Sequence, residues 1–157
     1  YPAAGIEPLP AVDDAPNVHD GSPTALVVMP DGKSMLHTAI DMQAPLRIVI
    51  VAGCHFSVDA ARAIRADPQL GALFREYAVW LASENEALTE VLAWNREFPD
   101  QPMNVAWRND EWSMLGSWAI PTFYVFRDGK QIDRWNGWGP DGMERLKENL
   151  RKSGVPN

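Results

Sequence analysis

One residue in the chain, Cys54, carries a thiol, and three positions after it stands Ser57. Between them are His55 and Phe56, and Gly53 comes just before. A thiolate attacks disulfides and a thiol does so poorly, so any reactivity depends on what stabilises the anion. Ahead of Cys54 runs "LRIVIVA" over 46–52, β-branched and nearly all apolar, the pattern of a central strand buried on both faces. Behind it, "VDAARAIRA" has the pattern of a helix. Cys54 is therefore expected where a strand gives way to a helix, whose N-terminus supplies free N–H donors and partial positive charge. His55, if protonated, would add to that field, and the Ser57 hydroxyl can donate a hydrogen bond to sulfur. A second cysteine at position 57 would complete a redox pair; a serine cannot. The competing reading is that Cys54 is a small buried hydrophobe, His55 an exposed first-turn residue and Phe56 packing. His19, His37, His55 and Cys54 show no recognised ligand spacing, so no metal is expected, and nothing calls for a cofactor.

The elements that must position this cysteine belong to one domain. The chain has 157 residues, 46% hydrophobic and 22% charged, enough for a proper core. Its net charge is −7 and its 14 Lys and Arg never form a dense run, which argues against a nucleic-acid backbone or an anionic membrane surface as partner. No stretch approaches the about eighteen apolar residues of a bilayer span. A chain that starts at Tyr1 suggests that a leading segment was removed, a signal peptide being one explanation. The lone cysteine leaves the compartment undecided.

Residues 1–23 are rich in Pro, Ala and Asp without periodicity, and are expected to form a flexible or draped extension to a domain spanning 24–157. Within that domain, "ALVVM" over 25–29 reads as a strand and "SMLHTAIDM" as strand or helix. Asp67-Pro68 reads as an N-cap and first helical residue, "AVWLA" over 78–82 as a buried strand, and 84–98 as a helix. Glu84 and Glu86 fit the solvated start of that helix. "MNVAW" suggests a short strand and "DEWSMLGSW" a short helix. "TFYVF" and "KQIDRW" flank Arg127-Asp128-Gly129 as a hairpin, and Pro140 opens a closing helix that ends before Gly154.

Cys54 at its junction, together with "WAIPTFYVFRDGK" over 118–130, resembles the thioredoxin-like superfamily from roughly Leu46 to Leu150. The resemblance implies an α/β thioredoxin-like sandwich, a central mixed β-sheet flanked by helices. Residues 84–98 plus "MNVAW" fit a helical insertion after the strand that follows the cysteine helix, a layout similar to TlpA-like periplasmic proteins. It further implies a cis-proline at Ile120-Pro121-Thr122 packed against Cys54, and a client groove formed by Gly53, Phe56, Trp118, Ile120, Pro121 and Thr122. The sequence departs from the family pattern in three places: Cys-x-x-Ser for Cys-x-x-Cys, Gly53 for the usual tryptophan, and apolar Ile48 for a buried acid.

The function so implied is thiol–disulfide exchange on client protein thiols or disulfides through a single nucleophile, Cys54, aided by Ser57 and His55. An oxidising or reducing partner protein and a periplasmic or otherwise extracytoplasmic location would go with it. Two alternatives stay open. One is a redox-inactive thioredoxin-like module that binds peptides or proteins. The other is a dithiol oxidoreductase whose resolving cysteine has been engineered to Ser57.

Overall fold

The computed structural model describes residues 11–156. Its strands are β1 (Ala11–Asp14), β2 (Thr24–Val28), β3 (Ser34–Ala39), β4 (Arg47–Val51), β5 (Ala78–Ala82), β6 (Met103–Ala106), β7 (Thr122–Arg127) and β8 (Lys130–Asn136). Its α-helices are α1 (His55–Ala66), α2 (Pro68–Tyr77), α3 (Leu88–Glu97) and α4 (Gly142–Lys152). Among the described residues the strands form one mixed sheet in the order β1-β3-β2-β6-β5-β4-β7-β8. β5 runs parallel to β4 and β6 parallel to β5, while β7 runs antiparallel to β4. This is the mixed α/β sheet with flanking helices that the sequence led us to expect.

β4 is buried on both faces because both alternating sets of its side chains are apolar. Ile48 and Ile50 join one core cluster with residues of all four α-helices, Ile64, Leu70, Phe74, Trp94 and Leu146 among them. Val49 and Val51 join the other, which Met42, Trp112 and Leu115 cover from loops and a 3₁₀ turn at Asn109–Trp112. That turn stands where a short helix was expected: only four residues are helical, and the Trp112 indole N–H is drawn to the Thr24 carbonyl at 3.1 Å. The ambiguous segment after Ser34 is strand, paired on one side with β2 and on the other with β1. α3 starts later than expected, at Leu88, because the chain first turns through Glu84 and Asn85. After it, β6 completes the expected insertion between β5 and the hairpin.

The hairpin turns on Asp128 and Gly129, both with positive φ (51° and 82°), a conformation that Asp and Gly tolerate better than other residues. α2 begins as its sequence demands, with the Asp67 carboxylate accepting the backbone N–H groups of Gln69 and Leu70, each at 3.0 Å. Those bonds, led by the one from Leu70 and helped by the Lys147 ammonium at 3.2 Å, hold the Asp67 carboxyl below the usual carboxylate range.

Between Ala11 and His19 the N-terminal segment carries regular structure. Residues Ala11–Asp14 lie parallel to β3 and Pro16–His19 form one 3₁₀ turn, whereas residues 1–10 lie outside the described part. The side chains of β1 are exposed, so polar contacts anchor it in place of apolar burial. Asp14 Oδ1 meets His37 Nδ1 at 3.0 Å, and His37 Nε2 meets Thr24 Oγ1 at 2.8 Å. The Thr24 hydroxyl donates onward to Glu111 at 2.6 Å, and Trp107 stacks on the His37 ring at 4.0 Å. Asn17 accepts the Ala39 backbone N–H at 3.1 Å. No helix among the described residues is long and apolar enough to cross a membrane.

Candidate functional site

Cys54 is the N-cap of α1, in extended backbone (φ −118°, ψ 174°), so its side chain stands at the open end of the helix. Its carbonyl accepts the N–H groups of Ser57 and Val58 at 3.0 and 3.2 Å, which starts the first turn. The thiol is partly exposed, and the next residue, His55, is exposed.

Sheet register brings the second half of the site alongside. Val51 on β4 pairs with Thr122 on β7, so the residues leaving β4 face those entering β7. The Ile120–Pro121 peptide bond is cis, and Cys54 Sγ lies 3.8 Å from the Ile120 carbonyl oxygen. The loop before Pro121 is tied down from β7. The Tyr124 hydroxyl donates to the Ser117 carbonyl and accepts the Ser117 N–H at 2.9 Å, and Thr122 Oγ1 donates to the Ala119 carbonyl. Tyr124 and Thr122 are themselves buried, so the loop rests on the sheet rather than on solvent contacts.

Ser57 is completely buried, and its Oγ lies 3.6 Å from Cys54 Sγ. The same oxygen accepts the Gly53 N–H at 3.3 Å. With that lone pair engaged, the hydroxyl hydrogen can be aimed at sulfur, and among the described residues it is the one side-chain O–H in contact with the thiol. Gly53 has φ +154°, and a Cβ there would stand 2.5 Å from Glu86 Oε2 and 3.8 Å from Ile120 Cδ1. Its hydrogen keeps the passage beside Cys54 open.

The structure thus brings Gly53, Cys54, Ser57, Ile120 and Pro121 together, with Thr122 directly behind. Phe56 is 46% exposed, its ring lying 4.1 Å from that of His55 on the outer side of the helix start. Trp118 is half-buried and packs on the second core cluster. Sequence reasoning missed the wall on the other side of the thiol. A cavity of about 210 Å³ is lined by Gly53, Cys54 and His55 together with Val58, Glu86, Glu90, Val91, Trp94 and Met103. The sequence places Glu86 at a solvated helix start, and only the turn after β5 returns it to Gly53.

No family model and no curated protein matches the sequence. Solved structures do match. A candidate protein disulfide isomerase from Bacteroides thetaiotaomicron shares 15% identity at a TM-score of 0.55, over 83% of this chain and 86% of that one. The exposed lipoprotein thioredoxin Etrx1 of Streptococcus pneumoniae shares 12% identity at a TM-score of 0.52, over 80% of this chain and 98% of its own. A thioredoxin-like protein from Bacteroides caccae shares 17% at a TM-score of 0.54, over 84% of this chain and 49% of that longer one. At such identities the likeness carries architecture and not activity, and the architecture is that of the thioredoxin-like fold.

Proposed function

We propose that the chain carries out thiol–disulfide exchange on client proteins through Cys54 alone. The observation that supports this best is the placing of the sulfur at the open N-terminus of α1, between the Ser57 hydroxyl and the Ile120 carbonyl. The helix N-terminus and the Ser57 O–H both face the sulfur, and the species that attacks in exchange is the thiolate. That thiolate attacks one sulfur of a client disulfide. The client S–S bond breaks, a Cys54–client S–S bond forms, and the second client sulfur leaves as a thiolate. Ser57 cannot displace the client, so release needs an external thiol. When a client cysteine supplies it, a disulfide has been moved with no net oxidation; when glutathione attacks the Cys54 sulfur, the client leaves with both sulfurs as thiols, and a second glutathione frees Cys54 from the resulting mixed disulfide as glutathione disulfide. The buried Ser57 and the partly exposed Cys54 fit a trapping or isomerase-like role, and His55 lies at the mouth. The exposed-lipoprotein neighbour supports an extracytoplasmic setting, as does the TlpA-like position of the insertion.

The test is capture of a disulfide-bonded client on non-reducing gels, alongside refolding of a scrambled client. Cys54→Ala should lose every captured band and the refolding activity, and Ser57→Cys should convert lasting capture into rapid self-release. Full refolding activity in Cys54→Ala would end the proposal. The second reading, a peptide-binding module without redox chemistry, draws on Phe56 and Ile120, two large apolar side chains exposed beside the thiol (46% and 45%). It predicts partner binding that is equal in wild type and Cys54→Ala.

A further inference from the structure

We infer that the cavity beside Cys54 receives a lysine or arginine side chain of the client, one next to the client cysteine; this rests on the exchange chemistry proposed above. The lining divides into an apolar and an acidic part. Val91, Trp94 and Met103 are buried and Val58 half-buried, whereas Glu86 is half-buried and Glu90 exposed. Neither carboxylate forms an ion pair with a Lys or Arg among the described residues. Among the described residues no Lys or Arg lines the cavity either, and its one titratable group besides the thiol and the two carboxylates is His55.

Glu90 lies in the first turn of α3, where the helix end accounts for part of its placing. That does not account for Glu86, whose Oε1 accepts the Ala87 N–H at 3.1 Å while Oε2 is held against Gly53. A wholly apolar occupant would desolvate two carboxylates without pairing them, and an acidic one would be repelled. A long side chain with an apolar stem and a cationic head satisfies both parts, the stem along Trp94 and Val91 and the head at Glu86 and Glu90. Cys54 and Gly53 form one edge of this cavity, and Ile120 borders Gly53 and the sulfur from the other side. A client seated with its cysteine at Sγ therefore has a neighbouring residue within reach of the carboxylates.

The experiment uses three extended peptides, identical except for Arg, Ala or Glu beside a single cysteine held as a mixed disulfide with thionitrobenzoate. Attack by Cys54 on the peptide sulfur expels coloured thionitrobenzoate. The same peptides with serine for cysteine are titrated against the tryptophan fluorescence of the full chain, since Trp94 lines the cavity. The Arg peptide should exceed the Glu peptide by about fivefold in both rate and affinity, the scale of two exposed ion pairs. In Glu86→Gln/Glu90→Gln, and in high salt, that ratio should fall toward one. Equal values for the three peptides, or a preference that survives the double substitution, would overturn the inference. Failure of the exchange reading looks different: no colour is released from any peptide, while the serine peptides still report whether arginine is preferred.

Discussion

Gly53 is where the smallest side chain has the largest consequence. Its φ of +154° strains any residue with a Cβ, and that Cβ would also meet the Glu86 carboxylate. The second problem can be relieved by swinging a flexible side chain; the first cannot. Gly53→Ala should therefore cost on the order of 1–3 kcal/mol in urea unfolding. Adding Glu86→Ala, which removes the contacting carboxylate, should leave most of that loss in place. Recovery of wild-type stability in the double variant would show that contact, not backbone, sets the glycine. At this scale the sequence was legible where chemistry is local: Cys54, Ser57 and Pro121 announce themselves through junction and motif. Glu86 did not, because it is brought to Gly53 by a turn after a different strand, and the residue pattern around it reads equally well as a helix start in water.

Among the elements, α2 has its stability written in one residue. The Asp67 carboxyl is held below its usual range by the Leu70 and Gln69 N–H groups and Lys147, so it binds its proton more weakly folded than unfolded. Its contribution is present above the ordinary carboxylate range and fades as pH falls through the lowered folded value. Asp67→Asn keeps a capping oxygen but loses the charge. It should be less stable than wild type at pH 7, with the gap closing on acidification; a gap constant with pH would refute the charge argument. β1 depends on a different device, the Asp14–His37–Thr24–Glu111 chain of contacts. His37→Ala should raise hydrogen exchange at Ala11–Asp14 well before β4 loses protection, an opening local to the sheet edge. Alternation and capping made β4, α2 and the hairpin readable in advance. β1 was not readable, because its four residues bury almost nothing and owe their order to side chains far along the chain.

At the scale of the molecule, periodicity identified strands but not their neighbours: nothing in "MNVAW" says that it lies between β2 and β5. The insertion decides that order, and it also decides what stands at the rims of the sheet. Among the described residues one rim is β1, carrying Asp13 and Asp14 and followed by Pro16, and the other is β8, carrying Lys130, Asp133 and Arg134. An open strand is a template for another chain, and charge or proline there blocks it. Asp13→Asn/Asp14→Asn, which also weakens the anchor at His37, should increase concentration-dependent light scattering while leaving the rate at which Cys54 is alkylated unchanged. Seen this way, the short acidic strand at the start of the described chain acts as a selvedge: it finishes the fabric of the sheet so that a second molecule cannot be woven on.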